Sequence, residues 1–244
     1  MPFGGTVVLD EVLADGTCRL ATQLNLDEIQ RLEWGSRYLE AVGLMHKSAD
    51  KASCLAPYIE VKGSLEIRRI LGEALRTETL VHVVREGEPG WYSGFVVGLS
   101  RSLVVLRTLD ENSLELDGYL GFRNLRIAKV ALDQKSVARK RVLRARGQQS
   151  NNARHEWPPS IEALLSMLTH PIRDSAPLVA IQENEPDTSF VGHLIESSIS
   201  GETTMHYVAP YGIDDGTFSI PTKSVTVIEW GTRYLAAIEG MRQC

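Results

Sequence analysis

The phrase LEWGSRYLEAVGLM at residues 32–45 returns as IEWGTRYLAAIEGM at residues 228–241. A chain that repeats a phrase at such a distance is built from copies of one unit, and the copies must share a fold. Working back from the second phrase, short segments rich in Val, Ile, Phe, Tyr and Thr begin at Pro177, Ser189, Thr204 and Gly216. The middle of the chain has the same order, with segments beginning at Thr79, Ser93, Ser102 and Gly118. Gly, Pro, Asp and Ser bound them, which is how antiparallel strands and their turns read. Anchors align in sequence: Glu88-Pro89 with Glu185-Pro186, Phe95-Val96 with Phe190-Val191, Asp117-Gly118 with Asp215-Gly216, and Ile127 with Val225.

A helical pattern precedes each set. Leu65, Ile67, Ile70, Leu71 and Leu75 recur at helical spacing after Ser64, as do Ile161, Leu164, Leu165 and Leu168 after Ser160. Each serine is read as an N-cap. A third, partial copy opens the chain. Residues 6–15 and 17–25 read as a third and fourth strand joined through Asp15-Gly16, and the first Glu-Trp-Gly phrase follows. Ser36 and Thr232 are expected to cap short helices buried through Tyr38, Leu39, Val42 and Met45, and through Tyr234, Leu235, Ile238 and Met241. The resulting organisation is a partial repeat at 1–50, a full helix-plus-strands repeat at 51–132, a basic linker at 133–156 and a second full repeat at 157–244. The fold class expected is mainly β with short helices, a β-rich α+β chain. Strands 6–25, lacking a barrel of their own, are expected to pair in cis beside residues 54–61 or in trans.

A helix followed by a bent five-strand meander resembles the Sm-like variety of the small SH3-like barrel, over about residues 62–132 and 157–232. The resemblance implies tandem small barrels. It implies no RNA-binding residue, because the Asp, Asn and Arg-Gly positions of that family are replaced by GLSRSL at 98–103, ESSISGETT at 196–204, Arg123-Asn124 and Thr222-Lys223. The fold alone does not license a function.

The search for chemistry is mostly negative. Phosphate-loop, dinucleotide-loop, H-E-x-x-H and G-x-S-x-G signatures are missing. Of six histidines, only His193 and His206 suggest a pair, facing each other across a hairpin turning at Ser200-Gly201, and a metal or acid–base site would need a third group. Cys18, Cys54 and Cys244 have no C-x-x-C spacing and read as free thiols of a reducing compartment. With no basic-then-apolar leader and no apolar run of about 20 residues, a cytoplasmic chain that does not enter a membrane is expected.

The net charge of −5 hides an uneven distribution. Residues 123–154 hold ten Arg and Lys against Asp133 alone, so they carry +9 and the remainder −14. Lys135, Arg139, Lys140, Arg141, Arg144 and Arg146 are therefore candidate contacts to RNA or DNA phosphates, or they neutralise acidic neighbours in cis. Trp91 and Tyr92 on a loop, and Arg37 and Arg233 beside the repeated tryptophans, are candidate partner-binding residues. The tryptophan of each phrase is read as a plug that the arginine covers. The expected function is a non-catalytic binding or adaptor protein for protein partners or self-association, with no cofactor or metal. Nucleic-acid binding through the basic linker is the alternative, and a metal or enzymatic site at His193 and His206 is a distant third.

Overall fold

A computed structural model describes residues 6–9, 22–25, 59–61, 63–88, 90–111, 113–133, 135–149, 156–169, 176–183, 189–209 and 212–242. Two compact units are present: Met1–Tyr58 with Asp110–Glu115 and Gln134–Gln149, and Ile59–Leu109 with Leu116–Asp133 and Ser150–Cys244. In the first unit, β1 (Thr6–Leu9) pairs with β2 (Thr22–Asn25) as a two-stranded antiparallel sheet. Thus the described parts of 6–25 pair with each other, and residues 54–58 lie outside the described residues. The same unit holds the tip of a later hairpin and α2 (Ser136–Ala145), so part of the basic linker is helical.

The second unit is built on one antiparallel sheet. Its strands are β3 (Ile59–Val61), β4 (Leu80–Arg85), β5 (Tyr92–Leu99), β6 (Leu103–Asp110), β7 (Glu115–Arg123), β8 (Ile127–Leu132), β9 (Leu178–Gln182), β10 (Ser189–Ser197), β11 (Glu202–Ala209), β12 (Ile213–Pro221) and β13 (Val227–Trp230). They lie in the order β12-β11-β10-β9-β13-β7-β6-β5-β4-β8-β3. Within this order, β4 to β8 and β9 to β13 follow the same path: the first strand sits between the second and the fifth, with the third and fourth beyond the second. A single-turn 3-10 helix, Asn124–Arg126 or Thr222–Ser224, precedes the fifth strand in both.

Pairing register sets the correspondence more sharply than residue types do. Val83 faces Val130, and Ile181 faces Ile228, each residue 98 positions after its counterpart. On this spacing Tyr92 corresponds to Phe190, Gly94 to Gly192 and Phe95 to His193. The expected match of Phe95-Val96 with Phe190-Val191 is therefore displaced, because two aromatic-aliphatic pairs on neighbouring segments look alike out of register. The glycines explain themselves: a Cβ on Gly94 would lie 2.6 Å from the Arg107 carbonyl oxygen, and one on Gly192 would run into that of His206. Asp117-Gly118 and Asp215-Gly216 do correspond, with φ of 76° and 83° at the two glycines, a region that other residues enter at a cost.

Helices cover the sheet through apolar faces. Helix α1 (Ser64–Thr77) buries Ile67, Ile70, Leu71 and Ala74 against Val81, Val83, Val96, Val104, Leu106 and Phe122. Its expected N-cap is shifted: Gly63 occupies that position, Ser64 is the first helical residue, and Leu65 points outward at 87% exposure. Helix α3 (Ile161–Leu168) follows the sequence reading closely. Ser160 caps it, accepting from the Ala163 amide at 3.3 Å, and Ile161, Leu164, Leu165 and Leu168 are all buried. Each of those side chains contributes about 1.5–3 kcal/mol by leaving water. Helix α4 (Arg233–Arg242) packs Leu235 and Ile238 on Leu178, Ala180, Val191 and Val208. Strand β9 is thus buried on both faces, Val179 and Ile181 toward α3, Leu178 and Ala180 toward α4. Tyr234 and Met241, expected in the buried face of α4, are 57% and 46% exposed, since the helix needs only a narrow stripe to reach the sheet.

Gly192→Ala is expected to lower unfolding free energy by about 1–3 kcal/mol in a denaturant titration, the cost of overpacking. Gly90→Ala, with nothing within 4 Å, should stay within about 0.5 kcal/mol of the parent.

Candidate functional site

The histidine pair was placed correctly by the hairpin turn. His193 stands directly opposite His206 on β10 and β11, joined by the four residues between Ser197 and Glu202. What surrounds them decides their chemistry. His193 is 2% exposed, its Nδ1 3.0 Å from the Ala176 carbonyl oxygen and its Nε2 3.1 Å from Arg242 Nη1 and 3.4 Å from Glu239. His206 Nε2 lies 3.4 Å from Asp214, which Arg242 Nε also contacts at 3.1 Å. The guanidinium of Arg242 reaches Glu239 as well, at 3.4 Å. A fixed cation therefore sits among the carboxylates and imidazoles where a metal would have to sit. Among the described residues no group of His, Cys, Asp and Glu is arranged to hold one. The central half has Phe95 in the place of His193.

A second constellation escaped the sequence reading. His82 on β4 faces Ser93 on β5, with Nδ1 2.7 Å from the Ser93 hydroxyl, and its Nε2 lies 3.7 Å from Asp133. These are the residue types of a nucleophilic triad. All three are buried, at 6%, 7% and 3% exposure, so no substrate reaches the hydroxyl. Trp91 closes the outer side, its ring centroid 6.1 Å from that of His82 and 48% of its surface in solvent. Tyr92 is half-buried on Phe122, and burial, reinforced by a hydrogen bond with Glu88, pushes its phenol up to about 12. The loop pair is thereby divided: Trp91 faces outward and Tyr92 belongs to the core. A cavity of about 210 Å³ beside Val97, Leu99, Ser100, Leu103 and Trp157 is small, below the usual size of a ligand pocket.

The basic candidates have neighbours in their own unit. Arg139 is buried and lies 3.8 Å from Glu111, and Arg146 lies 3.9 Å from Glu115 and donates to the carbonyls of Ser113 and Leu114. Arg141 and Arg144 are exposed, while Lys135 and Lys140 are half-buried. The segment thus neutralises part of an acidic hairpin tip in cis.

The most developed geometry is the seam between β7 and β13. Strand β13 lies between β9 and β7, with Ile228 opposite both Gly121 and Ile181, and Trp230 opposite both Tyr119 and Val179. Trp230, 8% exposed, stacks on Tyr119 at 5.4 Å, and Trp157 packs against both rings. Trp230 is thus buried in the seam between β7 and β13. Arg233 does not cover it: its amide donates to Asp117 Oδ1 at 2.8 Å and its guanidinium approaches the same oxygen at 3.3 Å. Gly118 is where the phrase comes closest, since a Cβ there would lie 2.6 Å from the Thr232 amide and the Trp230 carbonyl. At the far end of the seam Arg85, 4% exposed, meets Glu88 and Gln182 at 2.5 Å each and Thr226 at 3.0 Å. Trp34, Arg37 and Tyr38 of the first phrase, and the three cysteines, lie outside the described residues.

Among the described residues no helix is long and apolar enough to cross a membrane. No family model and no curated protein matches the sequence. Among solved structures, Escherichia coli YcgR in complex with c-di-GMP is 8% identical over 75% of this chain and 89% of that chain, with a TM-score of 0.17. K. pneumonia MrkH in its apo state is 9% identical over 79% and 94%, also at 0.17. A TM-score that low is the level of unrelated folds.

Burial raises the Glu229 carboxyl above the usual range; a hydrogen bond from Thr232 opposes the rise and the Asp117 charge adds to it. A raised acid costs stability as pH climbs through its folded value, having cost nothing below the unfolded one. Glu229→Gln, which keeps the acceptor for Thr232, should melt higher than the parent at about pH 7 and converge with it near pH 4. Zinc added to the parent should leave the melting temperature unchanged, because Arg242 fills the space between His193, His206 and their carboxylates.

Proposed function

We propose that the protein is a non-catalytic binding module that recognises protein partners, itself among them, by adding a strand to the edge of its sheet. Under this reading the two five-strand paths are small curled units of the Sm-like, SH3-like kind, joined side by side. Their shared strand order and the 3-10 turn before each fifth strand support that view. One observation carries the functional reading. The fourth strand of the first path, β7, is covered by β13, whereas its counterpart β12 ends the sheet and pairs only with β11 among the described strands. A strand with a row of unused amides and carbonyls is a template for another strand. The clusters with catalytic residue types are by contrast closed upon themselves: Arg242 lies between the histidines and their carboxylates, and the Ser93, His82 and Asp133 trio is shut away. Phosphate binding by α2 is the second reading and rests on Arg141 and Arg144, both exposed.

The direction of the free amides follows from register. The Thr222 amide donates to the Gly201 carbonyl at 3.0 Å, so by two-residue alternation Ile220 and Phe218 face β11 while the amides of Thr217 and Ser219 face outward. Hydrogen exchange at those two amides should slow when a partner strand binds or when protein concentration is raised, and Thr217→Pro should abolish the concentration effect. Equal exchange at every concentration and with every partner offered would remove the proposal.

A further inference from the structure

Along the free edge of β12, Asp215, Gly216, Thr217, Ser219 and Pro221 are exposed, as is Lys223 in the single-turn helix that follows. The two faces of the strand are unlike. Phe218 stands opposite Met205 and is half-buried against Phe190 at 4.8 Å and Tyr207 at 5.9 Å, and Ile220 on the same face is 5% exposed. Thr217 and Ser219 alternate to the polar face, where the Ser219 and Thr204 hydroxyls meet at 2.8 Å. The usable ladder is short. A register shift between Thr217 and Asp214, with Gly216 at φ 83°, closes it at one end, and Pro221, which has no amide, closes it at the other. Thr217 and Ser219 supply its outward amides.

We infer that this edge pairs with the same edge of a second copy of the chain, β12 against β12, antiparallel about a two-fold axis at Phe218. The inference rests on the strand-addition reading above and names its partner and register. A two-fold interface presents one patch to itself, so the patch must complement its own reversal. Reversal of β12 brings the Asp215 end of each strand beside the Lys223 end of the other, acid to base at both ends of the seam. A strand cannot pair with itself within one molecule, so its partner here is a second copy.

Backbone polarity fixes the register. Residues whose amides and carbonyls point across an antiparallel seam stand opposite each other and exchange both bonds. With Thr217 opposite Ser219 of the second copy, every outward amide of both strands enters such a reciprocal pair. A shift by two residues would call on Asp215, beyond the register shift, or on Pro221, which cannot donate. A shift by one would set Phe218 against the polar face. In the register that remains, Phe218 faces Phe218 of the second copy across a pair without backbone hydrogen bonds, where side chains come closest. The aromatic row of Phe190 and Phe218 then continues across the axis. So short a ladder makes a reversible contact that depends on concentration.

Sedimentation velocity of the full chain tests this, with a charge exchange to identify the seam. The parent should sediment above its 27.0 kDa monomer as concentration rises. Asp215→Lys and Lys223→Asp should each weaken association by roughly tenfold, because the axis repeats every repulsion. The double variant should associate like the parent, and so should an equimolar mixture of the two single variants. Circular dichroism and melting confirm that the variants fold. A parent that stays monomeric overturns the inference, as does an assembly indifferent to both single variants or one that the double variant does not restore. If Thr217→Pro dissociates the assembly while the charge variants do not, β12 takes a different strand: this inference falls and the strand-addition reading stands. If Thr217→Pro leaves the assembly intact, another surface holds it and both fall.

Discussion

Strand β13 holds the larger unit together. It is the fifth strand of the second path, and it completes that path beside β9 while pairing on its other side with β7 of the first. Four residues thus satisfy backbone groups of both halves, and a typical backbone hydrogen bond is worth only about 1 kcal/mol net. The seam depends on more than its ladder. Gly118 and Gly121 let the two chains approach, Trp230 fills the space against Tyr119 and Trp157, and Arg123 reaches the Val225 carbonyl at 2.5 Å and Glu162 at 2.6 Å. Buried Arg85 joins β4 to the end of β9 and to Thr226. Removing one partner from such a site costs more than the contact itself is worth, because the charge that remains has no water to return to.

Joining like units through the fourth strand of one and the fifth of the next has a geometric consequence. Every unit in the series spends one edge and offers another, so a short series ends with an open fourth strand. Here that strand is β12. At the other end β3 covers β8, the fifth strand of the first path. Charged side chains on an edge keep it from indiscriminate pairing. Asp215 is exposed on this edge, while Asp214 is held by His206 and Arg242.

The internal charge networks follow a second rule, that ionic groups taken out of water must find each other. Arg242 links Glu239, Asp214 and His193, and Arg139 and Arg146 approach the acidic hairpin tip. Residue types that resemble catalytic equipment are used here as ties between elements. Composition could not reveal this, since the same imidazole and carboxylate serve either purpose according to what else reaches them and whether substrate has access.

Local chemistry was decided by the sequence itself. The apolar face of α3 and its Ser160 cap, the strand segments between Gly, Pro and Asp turns, the meeting of His193 with His206, and the Asp-Gly anchors all depend on neighbours a few residues away. Those interactions have fixed periods of about 3.6 and 2 residues, which leave their trace in the order of residue types. Only the tertiary structure decided the true register of the two paths, the outward turn of Leu65, Tyr234 and Met241, the capture of Arg233 by Asp117, and the closure of the histidine sites by Arg242 and Trp91. These rest on contacts between residues up to 116 positions apart, whose choice depends on the space left by every other side chain. No periodicity along the chain records that space.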